Sequence, residues 1–334
     1  MAIVQDTEVL TTSAPKRGLT MARRETAWGL LFLSPWFIGL ALFYAIPIVI
    51  SFAMSFTDFN PVNAGSVKFV GLANYQWMFS ESATVSSFFI TLKLAVVGVP
   101  LGLFLALGFA IMLNQKLLAG KRIFRTLFFM PVQIPLVAST IVWLDFLNGS
   151  NGWLAYILNT CQDIFVNFFG GLLNIHSYTP IAPSWFQDTS WAVPGLILMG
   201  LWGIGNAMLI FLAGLQTVPT ELYEAARVDG AGRWQQFRNV TMPMISPVFF
   251  YNLLISVIGM AQYFTQPYVI GGSSGNPGGQ TMVYNINLYN EAWKYNFMGH
   301  GAALAWLMFV VVLGFSVVLF RTSARWVFYA GGER

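Results

Sequence analysis

Charged residues are scarce in this chain of 334. Asp, Glu, Lys and Arg together make up 9% of it, against 56% hydrophobic residues. A water-soluble domain carries charge at roughly a quarter of its positions, so the composition excludes an ordinary soluble fold and points to a bilayer. Cysteine is nearly absent: the single Cys161 has no partner, no intrachain disulfide can form, and the thiol reads as structural. The two histidines, His176 and His300, stand isolated on or near the outer side, and no Cys/His cluster has metal-ligand spacing. No catalytic or metal-binding residue is therefore assigned. A phosphate-cradling loop G-x-x-x-x-G-K-[ST] is missing as well: the one Gly-Lys pair, Gly120 with Lys121, has Gln115 where the first glycine belongs. The chain cannot hydrolyse ATP by itself.

What is present is long apolar runs. Six of them come close to or exceed the roughly 20 residues that a helix needs to cross about 30 Å of hydrocarbon. They lie near Trp28 to Ser55, Ser87 to Leu113, Phe124 to Leu147, Trp191 to Gln216, Ile245 to Ile270 and Met298 to Phe320. Lys and Arg fall almost entirely on one side of these runs. Lys16, Arg17, Arg23 and Arg24 precede the first; Lys116, Lys121, Arg122 and Arg125 separate the second from the third; Arg227, Arg233 and Arg238 separate the fourth from the fifth; Arg321, Arg325 and Arg334 follow the last. The opposite loops hold only Lys68 and Lys294. Because cytoplasmic loops retain positive charge during insertion, both termini are expected in the cytoplasm. The net charge of +4 thus reports topology and not nucleic-acid binding.

Residues 1–26 have no apolar run and read as a disordered cytoplasmic tail, leaving 27–334 as one six-span unit. A cleaved secretory signal is a poor fit, since the first run is too long and no small-residue cleavage site follows it cleanly. The longest outside loop, residues 148–190, contains "WLAYIL" and "DIFVNFFGGLL", too short to span and interfacial in character. It suits either the membrane surface or an external partner.

One polar stretch interrupts the second half of the chain: "ELYEAARVDGAGRWQQF", Glu221 to Phe237, within a loop at 217–243 that the charge asymmetry places in the cytoplasm. Thr220 and Glu221 after Pro219 make a helix start, and Gly230 makes a stop. Leu222, Ala225, Ala226 and the stem of Arg227 form one compact face, while Glu224 and Asp229 supply charge. Small alanines let another backbone approach. Pro243 begins the next helix.

The run Glu224, Ala225, Ala226, three residues, Gly230, nine residues, Val240 and on to Pro243 resembles the "EAA" loop of the membrane subunits of ABC importers, most closely the maltose and glycerol-3-phosphate branch. "FVGLANY" (Phe69 to Tyr75), "LIFLAGLQTVP" (Leu209 to Pro219) and "GGSSGNPGGQT" (Gly271 to Thr281) resemble further family motifs in the family's order. Val240 and Met242 depart from the preferred Ile and Leu, both apolar exchanges. The resemblance implies an all-α polytopic membrane protein of the ABC type I importer permease fold, with six transmembrane helices and a cytoplasmic coupling helix between spans 4 and 5. It further implies an inner-membrane location in a bacterial or archaeal cell, and partners: a second homologous permease, two ATP-binding subunits that use the ATP and Mg, and an extracytoplasmic solute-binding protein. Coupling to the ATPase would fall to Glu224, Ala225, Ala226, Asp229, Gly230 and Pro243.

A transport path needs polar and aromatic groups on one face within the spans. Met199, Trp202, Gly203 and Asn206 recur at i, i+3, i+4 and i+7 on the fourth run, and Asn252, Ser256, Gly259 and Tyr263 share a face of the fifth. Measured from Glu224, several of these positions resemble sugar-contacting positions in the maltose-type permease. Amides and hydroxyls pair with sugar hydroxyls, and rings cover the apolar sugar face. The same residues serve as well for packing helices together. Two intramembrane charges, Lys93 and Asp145, fit an ion pair or snorkelling to the outer interface. As a proton relay they would instead support an ion-gradient-driven secondary transporter, a reading that has no use for the Glu224 loop. A membrane-embedded enzyme is the weakest alternative, for want of a catalytic cluster.

Overall fold

The computed structural model describes residues 21–115, 118–173 and 182–328. Their regular structure is helical, with one isolated bridge between Thr57 and Phe69. The chain divides after Ala53 into two units. The described part of the first is the helix α1 (Met21–Met54) up to Ala53, apolar and with no buried residue. It starts inside the stretch 1–26 read as tail; Met1 to Thr20 lie outside the described residues.

In the second unit, α2 (Ala73–Ser80) leads into α3 (Ser82–Asn114), and α4 (Lys121–Phe129) is followed by α5 (Leu136–Phe146) and α6 (Trp153–Leu173). Next come α7 (Thr189–Trp202), α8 (Gly205–Gln216) and α9 (Thr220–Val228). A turn of helix at Arg233–Gln236 opens the stretch Arg233–Ser274, which contains α10 (Met242–Ala261) and α11 (Thr265–Gly271). The last elements are α12 (Tyr284–Tyr289) and α13 (Met298–Trp326). Among the described residues, four helices are long and apolar enough to cross a membrane: Met21–Met54, Ser82–Asn114, Arg233–Ser274 and Met298–Trp326. Two bent pairs, Lys121–Gln133 with Leu136–Phe146 and Thr189–Trp202 with Gly205–Gln216, bring the crossings to six if each pair counts as one.

The bends depart from the expected straight spans. The third is folded by 103°. Its cause is local: Ile134 before Pro135 is extended (ψ 131°), as the proline ring requires, and Pro135 offers no N–H to continue a helix. The fourth is bent by 48° at Gly203 and Ile204, where ψ falls near zero (6° and −5°) and the helical ladder lapses.

Packing explains which helices stay together. Val99, Leu103, Ala106, Leu107 and Ala110 of α3 interlock with Met208, Phe211, Leu212 and Leu215 of α8 and with Ile245 of α10. A separate cluster gathers Ile90 and Leu94 of α3, Val193, Leu196 and Met199 of α7, and Val283 and Ile286. α4 and α8 meet backbone to backbone at Gly205, where an added Cβ would lie 2.0 Å from the Phe128 carbonyl oxygen. Buried polar groups tie the loops down. Asn287 Nδ2 donates to Thr84 Oγ1 (2.9 Å), Tyr284 N–H to Thr91 Oγ1 (2.9 Å) and the Tyr284 hydroxyl to the Leu304 carbonyl (2.8 Å). Burial of Tyr284 pushes its phenol pKa upward, keeping it the neutral donor that this bond needs. Asn74 on α2 donates to the carbonyls of Ser55 (2.9 Å) and Thr57 (2.8 Å). Asn74→Ala leaves both carbonyls short of a donor and is expected to lower stability by about 2 kcal/mol. A thermal melt of the purified protein indistinguishable from wild type would contradict that assignment.

Candidate functional site

A cavity of about 460 Å³ lies where α3, α7 with α8, and α10 face one another. Six of the eight residues expected to line a path border it: Gly203 and Asn206 beside the break in the fourth crossing, and Asn252, Ser256, Gly259 and Tyr263 on and just beyond α10. The other two do not. Met199 is 2% exposed and packs in the cluster with Leu94 and Leu196. Trp202 stands edge to face against Trp143, ring centroids 5.8 Å apart. Helical spacing across Gly203 assumes a continuous helix, and the 48° bend changes the phase between α7 and α8. The third wall was not anticipated: Gly98 and Gly102 of α3, one turn apart, leave a bare stripe that opens the space. Their four-residue spacing in an apolar run was the available signal.

No charged side chain lines this cavity. Its polar groups are amides and hydroxyls set among apolar walls. Asn206 is exposed to the space, whereas Asn252 is buried and spends its Nδ2 on the Val248 carbonyl (3.0 Å). The Tyr263 hydroxyl is buried without a hydrogen-bond partner. An orphaned hydroxyl of this kind costs stability unless some visitor satisfies it. Lys93 and Asp145, the two intramembrane charges expected near the outer interface, are both exposed and form no ion pair with each other.

At the far end of α8 the chain emerges as α9. The helix ends in a Schellman arrangement: Gly230 N–H donates to Arg227 O (3.0 Å) and Ala231 N–H to Ala226 O (2.8 Å), with Gly230 in the left-handed region at φ 77°. The hydroxyls of Tyr223 and Thr241 lie 3.0 Å apart, joining α9 to the start of the next crossing. Leu222, Ala225, Ala226, Asp229 and Gly230 border a shallow cleft with Gln235 and Asn239. Glu224 lies outside this cleft and pairs with Arg227 (3.8 Å), both largely exposed. Pro243 occupies the first turn of α10 and not the loop surface. Val228 at 88% exposed and Trp234 at 70% place apolar groups on an otherwise polar protrusion, the pattern of a surface that meets another protein. His300 accompanies none of this: its Nδ1 lies 3.1 Å from Glu291 Oε2 and its ring stacks on Trp77, centroids 3.8 Å apart. His176 lies outside the described residues.

Several apolar crossings around a small uncharged cavity, with a protruding loop at one end, define a polytopic permease. The chain belongs to the family described as binding-protein-dependent transport system inner membrane component, whose sequence model matches residues 98–326. It is 36% identical to the probable ABC transporter permease protein YesP of Bacillus subtilis (strain 168), over 93% of this chain and 95% of that protein. It is 31% identical to the trehalose/maltose transport system permease protein MalF of Thermococcus litoralis (strain ATCC 51850 / DSM 5473 / JCM 8560 / NS-C), over 90% and 95%. The fold is shared with a chain of the bacterial alginate ABC transporter crystallised with an alginate pentasaccharide-bound periplasmic protein: TM-score 0.68, 18% identity, 91% of this chain and 96% of that one. Membership in this family sets aside the ion-gradient alternative.

Proposed function

We propose that this permease carries a neutral carbohydrate, an oligosaccharide or related polyol, inward across the cell membrane, with both of its termini in the cytoplasm. The observation that carries the reading is the cavity itself: amide and hydroxyl groups, the partnerless Tyr263 hydroxyl among them, in a wall without a single charge. Sugar hydroxyls match such groups, and an anionic cargo would find no cation there. A relative named for trehalose and maltose is consistent with it. A second, homologous permease completes the path, and an extracytoplasmic solute-binding protein delivers the sugar. Two ATP-binding subunits, holding the ATP and Mg, dock on the protrusion that carries Glu224, Ala225, Ala226, Asp229 and Gly230. This chain binds no cofactor of its own. ATP supplies the differential binding that shifts the cavity between its inward-open and outward-open states.

The test is uptake of labelled neutral oligosaccharides by the reconstituted transporter. Asn206→Ala and Tyr263→Phe each remove one group from the cavity and are expected to lower uptake at limiting sugar by about tenfold, the worth of one hydrogen bond. Trp202→Ala, whose ring packs on Trp143 and does not border the cavity, is expected to lower it less. Wild-type uptake by Asn206→Ala and Tyr263→Phe together would return both residues to packing.

A further inference from the structure

The 148–190 loop is read from sequence as suiting either a membrane surface or an external partner, and the structure separates the two. Trp153–Leu173 is a single helix of 21 residues, α6, that is not apolar enough to qualify as a span. Of its described side chains, the most buried and a stripe of exposed ones fall on opposite faces at about 100° per residue. Ala155 is buried and Asn159, Gln162 and Val166 are half-buried, so this face is turned to the protein. Trp153, Ile157, Cys161, Ile164 and Phe168 fall on the opposite face, and all are exposed. That stripe carries no charge. The helix has no basic residue, and its one acid, Asp163, lies about a third of a turn away from the stripe's centre.

The level of α6 is fixed by its neighbours. An added Cβ on Gly149, just ahead of α6, would lie 2.6 Å from Ser184 Oγ, just ahead of α7. Because α7 and α8 run away from this point to α9, α6 sits at the end of the bundle opposite the Glu224 loop. Trp185 and Trp191 meet edge to face there (5.1 Å), and Trp153 and Tyr156 of α6 are exposed beside the turn. Tryptophan and tyrosine collect at the height of lipid headgroups. The preceding helix, α5, likewise exposes apolar residues, Leu136, Val137, Ile141 and Val142.

We propose that α6 is an interfacial helix, lying flat in the leaflet opposite the Glu224 loop with Trp153, Ile157, Cys161, Ile164 and Phe168 in the boundary between headgroups and acyl chains. Lipid is the occupant that this chemistry fits. A soluble partner recognises a surface with a polar rim and leaves it in water between encounters, whereas an uncharged stripe of this size is at home in a bilayer. The lack of Lys and Arg makes the attachment one of apolar burial, indifferent to anionic lipid. The inference depends on the membrane assignment and not on the cargo.

Cys161 lies in the stripe and is the chain's only cysteine, so the native residue is the probe. A nitroxide is attached to it in the assembled transporter, with any partner-subunit cysteines replaced by serine, in vesicles of phosphatidylethanolamine and phosphatidylglycerol. Its collision rates with oxygen, which enters lipid, and with a nickel chelate, which does not, report its depth. We expect oxygen to outweigh the chelate by about fivefold at Cys161, and the ratio to fall by at least about threefold for a label at Asp163→Cys in a Cys161→Ser background. Equal ratios at the two positions would overturn the proposal. So would a Cys161 label that the nickel chelate reaches freely until the solute-binding protein is added. Sugar uptake by the same vesicles is read separately, so a wrong cargo and a wrong helix placement give different failures.

Discussion

Glu224→Lys is expected to reduce ATP-dependent uptake by more than tenfold while leaving the thermal stability of the permease unchanged. The reason for the second half is geometric. Glu224 is about two-thirds exposed, and its one ionic contact is an i,i+3 pair with Arg227 at 3.8 Å. Such exposed pairs are screened and contribute little to folding. A reversed charge at this point therefore has no route to the fold, and any large effect has to pass through a partner that docks there. Gly230→Leu reaches the same surface by another route. Its position needs φ 77°, and forcing an L residue with a side chain into the left-handed region costs roughly 1–2 kcal/mol. No neighbour lies within 4 Å of the added Cβ, so the strain falls on the Schellman turn alone and tilts Asp229 and Ala231 out of register with the docking face. Uptake and sugar-stimulated ATP hydrolysis in proteoliposomes are the measurements. Full coupling in both variants would remove α9 from the transmission path.

Gly205→Ala is expected to prevent assembly of the second unit. The added methyl would lie 2.0 Å from the Phe128 carbonyl oxygen and 2.9 Å from its carbon, and backbone cannot rotate aside as a side-chain tip can. Relief requires separating α8 from the α4 end of the third crossing, in a region where Phe211 and Met208 are fully buried, and overpacking costs about 1–3 kcal/mol, more where backbone is the obstacle. Yield of monodisperse protein after detergent extraction is the readout, with Gly200→Ala as the control because nothing stands within 4 Å of its Cβ. A yield of Gly205→Ala equal to that control would show that α8 and α4 are not held this close.

These two glycines mark the limit of what the amino-acid order reveals. Gly230 was legible because its role is local: a helix-favouring run, an acidic start and a residue without Cβ at the stop are enough to end α9 where it ends. Thr220, read with Glu221 as the helix start, is its first helical residue. Gly205 carries no such local sign. Its constraint comes from Phe128, 77 positions away in sequence, and only packing discloses it. The 103° fold of the third crossing had its cause in plain view at Pro135, yet hydropathy averages straight across it. The break at Gly203 shows the same limit at the candidate site. Periodicity placed Met199 and Trp202 with Asn206 because it presumed an unbroken ladder, whereas Gly203, Asn206 and the α10 group all border the cavity. The α3 wall escaped because glycines attract notice as turn formers and here act by what they omit.

The break has one mechanical consequence. The fourth crossing is two short rods seated in two different cores: α7 with Leu196 and Met199 in one, α8 with Met208, Phe211 and Leu212 in the other. A lever of 12 residues is about 18 Å long, so a pivot of about 10° at Gly203 carries its far end roughly 3 Å. That far end is where α9 begins. Displacement there is traded against angle beside Asn206, and the upper rod has no need to follow.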